Sequence, residues 1–301
     1  MIVVFEQVLV LFLFAAAGFV LTRSGVVNGE HGGLLSKLLV YVFLPCNVFK
    51  TFSARFTVEY LRVHGMEMLL SLAVLVAVAV AAHFVGRLLG RERYEGQVYE
   101  YSLVVPNAGY MGYALAESLL GSTALLNMML FNLPVSVYTY TIGFCMLTKR
   151  KLTFRKLCNP VIIAMLLGTA AGLLSLPLPA VLTEALGTAA GCMAPAAMLL
   201  TGIVVAGYQF AALLTNWRVY VVTAIRLFVL PLAVGGALWY LVSPAVAQTA
   251  VLIYAMPCGL NSVVFPKSVG ENCTYGASLA LLSSVCACVS IPLVFALFGI
   301  G

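Results

Sequence analysis

Ten successive windows of about twenty residues carry almost nothing but apolar side chains, and they constrain this chain more than any motif in it. They run over 2–22, 33–52, 66–89, 98–120, 123–147, 160–176, 180–208, 217–242, 245–269 and 275–300. Each matches the ~20 residues that a helix needs to cross a hydrocarbon core ~30 Å thick. Inside a bilayer a segment must satisfy its own backbone donors and acceptors, so such windows fold as helices. Charged residues make up only 9% of the 301. Soluble domains carry roughly a quarter, so a soluble globular fold is excluded. The expected fold is an all-α polytopic membrane protein with ten transmembrane helices. The links between windows are short, which leaves no appended soluble domain. The first window starts at Ile2 without a basic lead-in or a clear cleavage site, so it is expected to remain as a span.

The net charge of +6 follows topology rather than a polyanionic partner, and no nucleic-acid partner is expected. With ten spans, the odd links lie on one face, and the even links and both termini lie on the other. The odd links hold twelve of the sixteen basic residues: Arg23, Lys37, Arg87, Arg91, Arg93, Lys149, Arg150, Lys151, Arg155, Lys156, Arg218 and Lys267. Lys50, Arg55 and Arg62 lie in or beside the even links, and Arg226 alone sits near the middle of a window. Positive loops stay in the cytoplasm, so both termini are expected outside it, in a cell (plasma or inner) membrane.

The same landmarks recur after about half the chain. Gly18 in the first window has a counterpart in Gly168, Pro45 in Pro195, and Pro106 in Pro257, with offsets of 150, 150 and 151. Two halves, 1–150 and 151–301, would then hold five spans each. An odd number of spans turns the second half upside down, giving the inverted repeat on which many secondary transporters are built.

The most unusual windows are the fourth and the ninth. Val104-Val105-Pro106-Asn107-Ala108-Gly109-Tyr110-Met111-Gly112 and Met256-Pro257-Cys258-Gly259-Leu260-Asn261 place proline, asparagine and glycine at mid-window. Proline removes a donor and collides with the preceding turn, so a simple kink is one reading and a break with a restart is the other. At ~1.5 Å per residue, both prolines and Arg226 fall ~12–18 Å into the core. A break at that depth creates a new helix N-terminus, whose free N–H groups attract anions. Asn107 and Asn261 add amides that serve a carboxylate or an exposed carbonyl. Gly109, Gly112 and Gly259 allow close backbone approach; Tyr110, Cys258 and Ser262 complete the two stretches.

Arginine at a span centre costs ~2.5–3.5 kcal/mol on insertion scales and must face a cavity or a partner. Arg226 therefore either holds a substrate's negative charge, or pairs structurally with Glu117, Glu100 or a helix C-terminus, or snorkels. Asn132, Ser136, Tyr138 and Tyr140 in the fifth window are polar at cavity depth, but tyrosines in membrane proteins mostly serve the interface or packing. Only Asn47, two residues after Pro45, joins the expected binding set. Gly168/Gly172 and Gly187/Gly191 are GxxxG pairs that mark close helix contacts, within the chain or between protomers.

Enzymatic chemistry finds no support. His31, His64 and His83 are far apart, the eight cysteines are scattered without metal-ligand spacing, and no HExxH, GxSxG or Walker A pattern occurs. No cofactor or metal is expected.

With these residues in hand, the chain resembles the auxin efflux carrier family, which includes bacterial permeases and plant auxin exporters. The resemblance covers essentially the whole chain. It is carried by Leu103-Val104-Val105-Pro106-Asn107, Met111-Gly112 and Leu115, by Ala255–Gly259 through Phe265-Pro266-Lys267, and by Ile291-Pro292-Leu293-Val294. Members often have proline where this chain has Ala114, and they vary at Cys258 and Ser262. The resemblance implies that the fourth and ninth spans are broken and cross at their prolines. It implies a scaffold, often dimeric, from residues 1–65 and 159–214, and a transport unit from 66–158 and 215–301. It further implies an elevator-like movement carrying a small organic anion. Pro106, Asn107, Pro257 and Asn261 are the crossover positions it assigns. The wider superfamily includes sodium symporters of the bile-acid type. The expectation is a secondary or facilitative carrier for a carboxylate, with sodium symport, a passive channel and a membrane sensor as the alternatives.

Overall fold

The computed structural model describes residues 2–113, 115–116, 124, 127–149, 160–207 and 215–300. Among these residues the chain is helical and forms no strand. Five helical stretches are long and apolar enough to cross a membrane: Gly32–Ala54, Gly65–Leu89, Ala180–Ala206, Trp217–Trp239 and Thr274–Leu297. Four shorter apolar helices accompany them, Leu13–Arg23, Leu133–Leu147, Ile163–Leu173 and Pro244–Tyr254. The windows at 98–120 and 245–269 do not form continuous helices because each is interrupted near its proline.

In chain order the helices are α1 (Ile2–Arg23), α2 (Gly29–Leu38), α3 (Leu44–Arg55), α4 (Val58–Leu89), α5 (Arg93–Val104), α6 (Leu133–Tyr138), α7 (Phe144–Leu147), α8 (Pro160–Leu173), α9 (Ala180–Gly191), α10 (Met193–Ala206), α11 (Trp217–Ala224), α12 (Leu230–Trp239), α13 (Pro244–Tyr254), α14 (Asn261–Ser268) and α15 (Thr274–Leu297). Widened π turns occupy Leu39–Phe43, Ala108–Gly112, Thr139–Gly143 and Ile225–Val229. Two of them lie just ahead of prolines, Pro45 and Pro231. A proline ring collides with the carbonyl four residues back, and a π turn lets the helix pass it without stopping.

Small residues set the closest helix contacts. A side chain on Gly18 in α1 would strike the main chain of Leu199 in α10, and one on Gly202 would strike that of Ala15. Gly168 in α8 meets the Phe49 carbonyl of α3 at 2.8 Å from where a Cβ would stand, and Gly172 meets the carbonyls of Phe52 and Phe56. The Gly168/Gly172 motif is thus spent on a contact within the chain. Without water to drive helices together, such backbone proximity supplies the dispersion contacts that hold them.

Polar contacts collect the links on two rims. On one, the Tyr94 hydroxyl donates to the carbonyls of Leu147 (3.1 Å) and Asn272 (3.0 Å), and Lys149 pairs with Glu271. Beside them the buried Glu95 carboxylate accepts from the Tyr99 hydroxyl (2.6 Å), the Arg91 N–H (2.7 Å) and the Asn216 amide (3.0 Å). Burial alone would raise the Glu95 pKa, but these donors, with Arg218 nearby, hold it below the usual value. At the other rim, Gln248 donates to the Phe298 carbonyl at 3.3 Å, and Trp239 packs on the Phe298 ring.

Candidate functional site

α5 ends at Val104 and α13 at Tyr254. The segments that follow meet each other as an isolated antiparallel bridge between Pro106 and Cys258. The Asn107 N–H donates to the Pro257 carbonyl at 2.8 Å, and the Gly259 N–H donates to the Val105 carbonyl at 3.0 Å. Proline has no N–H, so each break would strand backbone groups at membrane depth. Each break satisfies the other. Gly259 permits the approach, since a Cβ there would lie 3.1 Å from both Val105 Cγ1 and the Val105 carbonyl. Helical structure resumes after Asn107 in the π turn Ala108–Gly112 and, on the other side, in α14 at Asn261.

The guanidinium of Arg226, carried by the π turn Ile225–Val229, lies behind the bridge and is fully buried. Its Nη1 donates to the Leu103 carbonyl at 2.7 Å, its Nε to Met256 at 3.0 Å and its Nη2 to Ile253 at 3.4 Å. The Tyr254 ring lies 5.6 Å from its centre. Of the partners expected for it, Glu100 instead meets His83 at 3.0 Å, and Glu117 lies outside the described residues. Arg226 does not line the cavity described next. Its contacts are to helix C-terminal carbonyls, the third of the structural options.

In front of the bridge is a cavity of ≈ 50 Å³. Both breaks contribute to it through Pro106, Gly109, Gly259 and Asn261. α3 contributes Asn47 and Thr51; α6 and the π turn after it contribute Ser136, Thr139 and Tyr140. Tyr113, Met193 and Asn132, the residue before α6, complete the polar and soft parts of the wall. Among the described residues, no Lys, Arg, Asp, Glu or His lines it. The chemistry on offer is neutral: amides, hydroxyls and the first turns of two restarted helices. Asn132 Nδ2 donates to the Tyr113 hydroxyl at 2.9 Å, while its buried Oδ1 has no partner among the described residues. A buried amide with one open end is a group that awaits a ligand or water.

Of the expected binding residues, Asn47, Pro106, Gly109, Gly259 and Asn261 line this cavity. Asn107, Pro257 and Cys258 hold the bridge, the Cys258 N–H also donating to Ser283 Oγ at 3.0 Å. Gly112 packs under Met256 and Met128. Ser262 turns its hydroxyl onto the Gly259 carbonyl at 2.8 Å and abuts Gly276. The Tyr110 side chain lies outside the described ones. Asn132, Ser136 and Thr139, which share a helical face at spacings of four and three, line the cavity beyond the expected set.

A family model described as "Membrane transport protein" matches residues 3–154 and 148–295. A protein of Rhizobium meliloti (strain 1021) named "Putative malonate transporter" is 27% identical over 277 residues, which cover 84% of this chain and 82% of that protein. The matched residues take in both breaks, the bridge and the cavity wall. The chain belongs to this membrane transport family, that of the auxin efflux carriers its Pro-Asn segments resemble, and is a multi-pass membrane transporter rather than an enzyme.

Proposed function

We propose that the protein is a secondary or facilitative carrier of a small carboxylate anion, bound where the two helix breaks meet. One observation carries this reading: a compact cavity at the bridge is lined by neutral donors and acceptors and by both restarted helices. Helix N-termini and amides hold a carboxylate without the tight grip of a lysine or arginine, which suits a ligand that must also be released. A relative named for malonate supports a carboxylate of this size.

The mutual hydrogen bonds of the bridge support a crossing of the fourth and ninth spans. A shared register supports the inverted repeat of 1–150 and 151–301. Gly18 rests on Leu199, and their counterparts 150 residues away, Gly168 and Phe49, touch in the same way. Convergence of the odd links on the rim of Tyr94, Lys149, Asn216 and Asn272 supports ten spans with both termini outside the cytoplasm. The cavity wall draws Asn47, Val48, Thr51, Phe52 and Met193 from the scaffold segments (1–65 and 159–214) and the rest from the transport segments (66–158 and 215–301). A site on that boundary fits an elevator-like movement of one unit against the other in a cell membrane, with a homodimer through the scaffold as its support.

Proteoliposomes loaded with unlabelled malonate or a monocarboxylate test the reading. A carrier takes up labelled substrate transiently above equilibrium and saturates. Flux that rises linearly with concentration and shows no counterflow would make the protein a channel, and no flux with any carboxylate would reject the substrate class.

A further inference from the structure

Arg226 carries a full charge out of solvent, and no carboxylate pairs with it among the described residues. What it faces is two helix ends. Leu103 and Ile253 stand 150 residues apart, the spacing that relates the two halves, and each lies in the last turn of the helix leading into its break. A helix C-terminus carries about half a negative charge. Two such ends at one point make about one, which a single guanidinium matches. In carriers built on broken helices, C-terminal ends and unwound carbonyls are where the coupling Na⁺ or H⁺ is held.

We propose that Arg226 is the resident cation of this carrier, a positioning residue that does permanently what a coupling ion does transiently. The inference rests on the carrier reading and deepens it. A guanidinium keeps its proton and is tethered by its own helix, so it neither leaves nor releases H⁺ during a cycle. The carbonyls of Leu103, Ile253 and Met256 are occupied before any ion arrives. Transport then proceeds without Na⁺ or K⁺, which favours facilitated movement or exchange over sodium symport. The neutral cavity fits the same division of labour: the charge that fixes the site sits behind the bridge, and the groups that touch the substrate sit in front of it.

The test is carboxylate counterflow and thermal unfolding in NaCl, KCl and choline chloride, with and without guanidinium chloride at low millimolar concentration. Wild type is expected to exchange equally, and to melt equally, in all three salts. Arg226→Lys keeps a cation at the two helix ends and retains exchange. Arg226→Gln and Arg226→Ala lose it by at least about tenfold in choline. Arg226→Ala regains stability when Na⁺ or guanidinium fills the vacated place. A wild type that requires Na⁺ would overturn the proposal even if no variant folds. So would an Arg226→Gln protein as active as wild type in choline, an Arg226→Lys protein as inactive as Arg226→Gln, or an Arg226→Ala protein that no cation stabilises. If wild type exchanges no carboxylate, the carrier reading falls, while the salt dependence of melting in Arg226→Ala still decides the cation's role.

Discussion

The Asn107 N–H donates to the Pro257 carbonyl at 2.8 Å, so a residue released by one helix break is satisfied by the other. The return bond runs from the Gly259 N–H to the Val105 carbonyl. Neither interrupted helix has a low-cost structure alone in a bilayer, where each unsatisfied backbone group costs several kcal/mol. Together they form a rigid pair with helix C-terminal carbonyls behind and restarted helices in front.

Gly259 is a tight point of that pair. An added Cβ would lie 3.1 Å from the Val105 carbonyl and side chain, so Gly259→Ala must push the two bridged segments apart. Overpacking of this kind costs about 1–3 kcal/mol. Thermal unfolding of detergent-purified Gly259→Ala is expected to show a clear loss of stability, and Gly259→Val a larger one.

Asn132 and Asn261 bring amides to the cavity wall. Replacing either with alanine removes one hydrogen-bonding partner of the substrate, worth about 1.5–3 kcal/mol for a charged ligand. The apparent KM for counterflow should rise by about tenfold or more, with the melting temperature little changed. Asn132→Asp goes further because a carboxylate in a neutral cavity repels an anion. Its exchange should fall below that of Asn132→Ala at neutral pH and recover partly as the medium is acidified.

Glu95 gives a pH signature on the rim it shares with Tyr94. Hydrogen bonds from Tyr99, Arg91 and Asn216 hold its carboxyl below the usual range despite burial. A carboxylate whose pKa is depressed by folding stabilises the protein above its unfolded pKa, and that contribution disappears as the pH falls through the folded value. Glu95→Gln should therefore melt lower than wild type at neutral pH, and the difference should close on acidification below the ordinary glutamate range.

The 150-residue register is testable by paired substitution. Gly18 and Gly168 both abut the main chain of a facing helix, so Gly18→Ala and Gly168→Ala should each destabilise by about 1–3 kcal/mol. Changing solvent- or lipid-open Gly236, where a Cβ meets nothing within 4 Å, should not. Melting curves of the three variants are the measurement.

Much of this site was legible in the residue order because its strongest constraint is covalent. Proline removes a backbone donor, so Pro106 and Pro257 mark in the sequence the two places where a kink or a break is to be expected. Asn47 was legible as an amide beside Pro45. Asn132 and Ser136 are polar at cavity depth in the sequence, but nothing in the residue order separates them, or Thr139, from ordinary interface and packing residues, and only the fold turns that face to the two breaks. Arg226 is anomalous in the sequence alone, which leaves a substrate, a carboxylate and a helix end all open as its partner. Its partners are the backbone carbonyls of Leu103, Ile253 and Met256. Every residue has a carbonyl, so nothing in the letters marks which ones are left open.

The central claim is that a carboxylate binds in front of the bridge. Gly109 lines that cavity, and a Cβ on it would meet nothing within 4 Å, so Gly109→Leu fills the site without straining the fold. The direct measurement is labelled-carboxylate counterflow in proteoliposomes of wild type beside Gly109→Leu, with melting temperatures recorded for both. Saturable exchange in wild type, lost in a Gly109→Leu protein that melts normally, is the predicted result; undiminished exchange through the filled cavity would contradict it.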